Sequence, residues 1–344
     1  MTDQSVNDRA SRVLISGSLA FDYIMTFPGS LKDYILPDKI HVLSVSFLFD
    51  SLKRHRGGVA GNIAYSLALF GETPVVVGAG GSDFDDYRQT FDELGIDTRL
   101  ILDVQDELTG SAFMTSDLDN NQINGFYPGA SSRAETISVA DAARKASIGL
   151  VGATSLEAMR RHALEIAAAG CRLVFDPSQQ VVAMLAEDLL LGIDAAWAVS
   201  GSDYEMAIIE RKTGLTVDAL ADRVPLLVIT YGEEGSELRW QGGSIRIPPV
   251  PTQRLVDPTG GGDAYRAGLI KGLLDDLPLA ISGRIGSLAA TYAIEHKGTQ
   301  EHSYTADEFV DRFNRSFPDM AGQLDPALLA KSRVSASLSA VGTK

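Results

Sequence analysis

The chain has 344 residues, 45% of them hydrophobic, with a net charge of −15 and a pI of about 4.7. That acidity argues against a sequence-independent grip on nucleic acid. A single cysteine, Cys171, rules out an internal disulfide and a thiolate zinc site, and its apolar neighbours read as core packing. The length allows one large α/β domain with an insertion, or two domains.

Met1–Arg12 is polar and mixed in charge, without the basic-then-apolar order of a signal peptide. No apolar run has the length of a membrane span. A cytoplasmic protein with no membrane partner is the expectation. Val13-Leu-Ile15 reads as a first buried strand leading into Gly17–Asp22, and 24–50 as irregular chain containing Pro28, Gly29 and Pro37. Gly57-Gly58 opens a helix over 60–70 that Gly71 stops. A short strand at 74–77 and a helix at 85–94 follow, then strand-like alternation over 108–129 with Asp119-Asn-Asn121 as a turn.

Beyond residue 148 the pattern becomes regular. Strands are expected at 148–151, 173–175, 195–199 and 226–229, with helices at 156–169 and 204–213. This alternation predicts an α/β fold with a mostly parallel sheet covered by helices on both faces. Ligands on such sheets sit at the carboxyl ends of strands. The expected large domain comprises 1–20, 51–108 and 131–327. The expected lid comprises 21–50 and 109–130, and 328–344 forms a poorly ordered tail.

Three segments carry chemistry. In Asp257-Pro-Thr-Gly-Gly-Gly-Asp263, three glycines precede a helical run in which Ala264, Ala267, Ile270 and Leu274 recur near helical spacing. Amides at such a helix start attract anions. A carboxylate there is out of place for binding alone and fits a base beside a phosphate. The plain alternative makes Asp263 an ordinary cap. In Arg56-Gly-Gly-Val-Ala-Gly-Asn62, paired glycines precede a helix, and Asn62 serves either as a cap or as a donor to a sugar hydroxyl. Thr230-Tyr-Gly-Glu-Glu-Gly235 follows a strand and reads as a hairpin turn or as a nucleotide loop. A Walker A motif and a Gly-x-Gly-x-x-Gly motif are both missing, and the five histidines lack metal-ligand spacing.

Taken in this order and spacing, the three segments resemble the ribokinase (phosphofructokinase-B, PfkB) family of carbohydrate and nucleoside kinases, over about Val13–Phe317. The resemblance implies a ribokinase-like fold with a small β lid, and ATP and Mg²⁺ as cofactors, with K⁺ as a further candidate. It implies Asp263 as general base and Gly260, Gly261 and Gly262 as an anion hole. Asp22, Gly58 and Asn62 would bind the acceptor, and Thr230, Gly232 and Gly235 the ATP. Gly298, within Glu295–Gln300, falls where the adenine pocket and further cation ligands lie. Asp257 matches a monovalent-cation position, and Glu205 would act on Mg²⁺ through water. Lid strands often pair between family members, so a monomer or a homodimer is expected.

Two positions depart from the family pattern. Ser202 stands where an asparagine is common in Asn-x-x-Glu, and Pro258 follows Asp257 where a small hydroxyl residue is common. Aromatic residues in or beside the lid segments, Phe21, Phe47, Phe49, Phe113, Phe126 and Tyr127, offer faces on which a base could stack. The run 120–130 is similar to the lid region of adenosine kinase-like members, which points to Phe126 as an acceptor-binding residue and to adenosine or a related nucleoside, phosphorylated at its 5′-hydroxyl. A ribokinase- or fructokinase-type sugar kinase is the first alternative, and a non-catalytic nucleoside sensor the second. Arg266, one turn into the helix, either contacts a transferring phosphate or forms a salt bridge.

Overall fold

The computed structural model describes residues 12–34, 45–119 and 121–329. Its strands in chain order are β1 (Val13–Ser16), β2 (Ala20–Thr26), β3 (Ser51–Gly57), β4 (Val75–Gly81), β5 (Asp97–Val104), β6 (Gly110–Ser116), β7 (Gln122–Tyr127), β8 (Ile148–Val151), β9 (Arg172–Phe175), β10 (Ala198–Ser202), β11 (Leu226–Thr230), β12 (Ser236–Trp240) and β13 (Gly243–Ile247). The helices are α1 (Val59–Leu69), α2 (Asp85–Glu93), α3 (Ala140–Ala143), α4 (Leu156–Ala168), α5 (Ala186–Ala195), α6 (Asp203–Thr213), α7 (Val217–Arg223), α8 (Gly261–Leu274), α9 (Leu279–Ile294), α10 (Ala306–Ser316) and α11 (Pro326–Leu329).

Among the described residues, nine strands form one sheet in the order β13-β12-β11-β10-β9-β8-β1-β4-β5. Pairings from β5 to β11 are parallel, and β12 and β13 add antiparallel at one edge. The short apolar runs of β1, β8 and β11 are buried on both faces, which is why they lack a polar alternation. Val13 and Ile15 join the core formed with α1, α2 and α8, whereas Leu14 joins the core formed with α4, α5 and α6. The period-2 reversal of a strand thus feeds two helical layers. A third cluster packs α9 against α10 and Phe70.

The second sheet, β3-β2-β6-β7, has four strands. It contains the lid strands expected at 108–129, and β3 as well. Residues 51–57 were expected in the large domain. Their sequence, Ser-Leu-Lys-Arg-His-Arg-Gly, lies largely exposed along β2, and a strand without an apolar face leaves no periodic signal. β10 begins three residues later than expected, because Ala195 ends α5. Of the expected tail, Leu328 and Leu329 close α11. The rest of the tail, the 35–44 part of the lid and Asn120 lie outside the described residues. No helix among the described residues is long and apolar enough to cross a membrane.

β1 lies between β4 and β8, and the chain leaves it through α1 toward β4. Strand order therefore reverses at β1, and the crevice of an open α/β sheet forms beyond the carboxyl ends of the strands at such a point.

Candidate active site

Asp263 occupies the first turn of α8, three residues after Gly260, which takes a left-handed conformation (φ 80°) as the helix cap. The first amides of a helix lack intrahelical partners and sit at its positive end. Asp263 is buried, 9% exposed. Burial raises its carboxyl above the ordinary range, while Arg266 and Asn62 oppose that rise. Asn62, in α1, is not a helix cap. Its Nδ2 donates to Asp263 Oδ2 at 2.8 Å, and its Oδ1 accepts from Thr299 Oγ1 (2.7 Å) and Gln300 Nε2 (3.0 Å). Gln300 continues to the Tyr87 hydroxyl, which donates to the Gly57 carbonyl. One buried chain of hydrogen bonds thus joins α8, α1, α2 and the loop after α9 to the first glycine of the pair.

The pair itself is sterically required. Gly58 has φ 87°, and a Cβ there would stand 2.5 Å from the Ser18 carbonyl oxygen. A Cβ on Gly57 would meet Asp22 Oδ2 at 2.4 Å. Asp22, in β2, is buried, and desolvation together with Asp257 and Asp263 pushes its carboxyl up to about 7. The loop 257–260 closes without the amide that Pro258 lacks, because Asp257 Oδ1 accepts from Thr259 N at 3.0 Å. Asp257 Oδ2 accepts from Gly298 N at 3.2 Å, and Gly298 has φ 93°. Glu295 is engaged elsewhere, by Arg312 and the Gln253 amide.

Ser202 ends β10 and caps α6. Its Oγ accepts from Glu205 N at 3.2 Å, while Glu205 Oε2 accepts from Ser202 N at 2.7 Å. Serine and asparagine are equally good in this reciprocal cap, so the departure at position 202 keeps Glu205 in place. Thr230 lies beside Ser202 in the next strand. The loop from Thr230 to Gly235 is the turn between β11 and antiparallel β12, so the hairpin reading is structurally correct. Gly232 and Gly235 both have positive φ, and a Cβ on Gly235 would meet the Ile247 carbonyl oxygen at 2.2 Å.

Arg266 forms a salt bridge rather than standing free. It engages Asp176 through two nitrogens and reaches Asp263 Oδ1 at 3.4 Å. Asp176 was missed in the sequence. Its only trace was the Asp-Pro that ends the strand at Phe175. Thr299 and Gln300 were included in a segment matched to nucleotide binding, yet their side chains hold Asn62.

A cavity of about 520 Å³ lies against the second sheet. Its floor comes from the chain after β1 and β8, at Ser18 and Thr154, and its lid side from Ala112, Met114, Asn124 and Phe126. Gln179 and Gln180 close it. Asp22 adjoins this wall, because the register sets Asp22, Ala112 and Phe126 in one row across β2, β6 and β7. Of the other aromatic candidates, Phe21 is buried against Tyr87, Phe113 stacks on Tyr23, and Phe47 packs with Phe27 and Tyr34. Phe126, 58% exposed, is the one that lines the cavity. No group of three or more His, Cys, Asp or Glu among the described residues could hold a metal ion.

Known proteins match the chain along most of its length. The model of the pfkB family of carbohydrate kinases matches residues 27–306. A nucleoside kinase of Methanothermobacter thermautotrophicus is 30% identical over 305 residues, covering 88% of this chain and 95% of that protein. The structure of Burkholderia thailandensis nucleoside kinase in complex with inosine superposes with a TM-score of 0.81 at 36% identity, covering 89% and 98% of the two chains. The Methanocaldococcus jannaschii nucleoside kinase, described as an archaeal member of the ribokinase family, gives a TM-score of 0.78 at 25% identity, covering 88% and 98%. With a ribokinase-like fold and these motifs, the chain belongs to the PfkB family of kinases, phosphotransferases that act on an alcohol group.

Proposed function

We propose that the protein transfers the γ-phosphoryl group of ATP to the 5′-hydroxyl of a purine nucleoside, with adenosine the leading acceptor. The observation that carries this reading is the two-part site. A bare sugar needs the carboxylate end, Asp22 and Asp263, and little more. Here a cavity with Phe126 on its wall adjoins Asp22 and adds a ring face beyond the carboxylate end, which suits a base attached to the sugar. The relatives named nucleoside kinase, one of them in complex with inosine, support the same class.

In this mechanism Asp22 and Asn62 hold the ribose, and Gly58 lets backbone pass close to it. Thr230, Gly232 and Gly235 carry the nucleotide, with Gly298 beside it. Asp263 takes the proton of the attacking hydroxyl, and the amides of Gly260, Gly261 and Gly262 face the charge that develops on the transferring group. When bound, Mg²⁺ would supply charge neutralisation during transfer, and Glu205 would hold it through water. The single carboxylate of Glu205 fits an ion held mainly by water and phosphate, as Mg²⁺ commonly is. Asp257, whose oxygens retain acceptor capacity beyond two amides, is the proposed holder of a monovalent cation such as K⁺. The reciprocal cap at Ser202, which keeps Glu205 in place, favours turnover over a sensor that has lost it.

The test is ATP consumption with adenosine, inosine, other nucleosides, ribose and fructose 6-phosphate, with the product located by phosphorus NMR. Turnover confined to the sugars replaces this reading by a sugar kinase. Nucleoside binding without turnover replaces it by a sensor.

A pH effect follows from Asp22. To accept two ribose hydroxyls its carboxyl must be ionised, and burial with Asp257 and Asp263 nearby pushes it up to about 7. The acceptor KM is therefore expected to rise as pH falls below about 7, while kcat at saturating acceptor changes less. Asp22→Asn should weaken binding and flatten this dependence. An acceptor KM that is constant from pH 8 to pH 5.5 contradicts the role.

A further inference from the structure

We propose that Asp176 and Arg266 form a positioning pair that fixes the orientation of the Asp263 carboxylate without touching either substrate. The inference rests on Asp263 being the base. Arg266 lies one turn beyond Asp263 on α8, and its guanidinium is committed in three directions. Nε and Nη2 engage the two oxygens of Asp176, the latter at 2.9 Å. Nη1 stands 3.4 Å from Asp263 Oδ1, and Nη2 lies 4.0 Å from Glu205 Oε2. The Asp176 side chain is fully buried and that of Arg266 is 11% exposed. A planar fork paired in this way has one orientation.

Asp263 is consequently held from two sides. Asn62 donates to Oδ2 from α1, and Arg266 approaches Oδ1 from within α8. The tight bidentate pair goes to Asp176, and only the longer contact reaches Asp263. A guanidinium free to close fully on Asp263 would take up its lone pairs and weaken it as a base. Asp176 thus restrains Arg266 as much as it anchors it.

Two local features fit this role. A Cβ on Gly262 would stand 2.8 Å from Arg266 Nη1, so glycine there leaves room for the guanidinium over the first helical turn. Asp176 is followed by Pro177 and by Ser178, a non-glycine residue at φ 46°. Such a conformation is retained where the surroundings over-determine it.

The test is steady-state kinetics of Arg266→Lys, Asp176→Asn and the double variant, with Mg·ATP and the acceptor that the panel identifies. Each single change is expected to lower kcat on the order of 10²-fold, the scale of a misplaced reacting group, with both KM values nearly unchanged. The double variant should be no worse than the poorer single one, because the two residues act as one unit. A melting curve of each variant shows whether it has folded, so that if one charge variant unfolds the kcat of the other still decides. A raised ATP KM with normal kcat would instead put Arg266 on a phosphate and overturn the proposal. Unchanged kcat, or losses that multiply in the double variant, overturns it as well. If the wild-type protein phosphorylates no acceptor, the kinase reading fails and the pair's role fails with it. Active wild type with fully active variants removes the pair alone.

Discussion

Replacing Asp263 by Asn should lower kcat by about 10²–10⁴-fold, the usual contribution of a positioned proton acceptor. The substitution keeps the shape of the side chain, and its carbonyl oxygen can still accept from Asn62. Arg266 keeps its two contacts with Asp176, so no cation is left without a partner. The thermal midpoint should therefore stay close to that of the wild type, and neither KM should change greatly. The measurement is initial rates across acceptor concentrations beside a melting curve. Turnover within tenfold of wild type would remove Asp263 from the chemistry. A large drop in melting temperature would instead make its role structural.

The second large effect is on stability. Lys271, on the same helix, is completely buried and pairs with Glu72 at 2.6 Å and Asp275 at 3.0 Å. Arg12 joins both acids from the start of the described chain. Truncating one partner of a buried ion cluster leaves charge uncompensated, at a typical cost of about 3–5 kcal/mol. Lys271→Ala is expected to lose about 3 kcal/mol, toward the lower end of that range, because Arg12 still serves both carboxylates. Denaturant unfolding reads the loss. Combining Lys271→Met with Glu72→Gln should recover part of it, since the double change removes charges of both signs. A loss below about 1 kcal/mol would show that water or Arg12 compensates.

Much of the frame was legible before any coordinates. The short apolar runs at Val13–Ile15, Leu173–Phe175 and Leu226–Ile229 are buried strands because both faces of a parallel sheet are covered. Gly58 and Gly260 announced themselves because their backbone conformations exclude side chains. What escaped has equally physical reasons. β3 is a charged, exposed strand and carries no apolar alternation. For Asn62 the sequence left a cap and a sugar contact both open, because a carboxamide near a helix start can serve either way. Its true partners, Asp263, Thr299 and Gln300, are more than 200 positions away in the chain.

The sequence by itself determined the family, the layered α/β architecture and the glycine turns that bracket the proposed phosphate site. Those features depend on residue type and local spacing, which any reader of the chain can see. The tertiary structure alone decided that Asp176 holds Arg266, that Thr299 and Gln300 orient Asn62, that Lys271 closes on Glu72, and that Phe21 packs on Tyr87 and Phe47 on Phe27. Each of these is a side-chain pairing or packing contact set by which strand ends and helix starts the sheet order makes neighbours. Local spacing carries no record of that order, because a buried charge or amide finds its partner in space rather than along the chain.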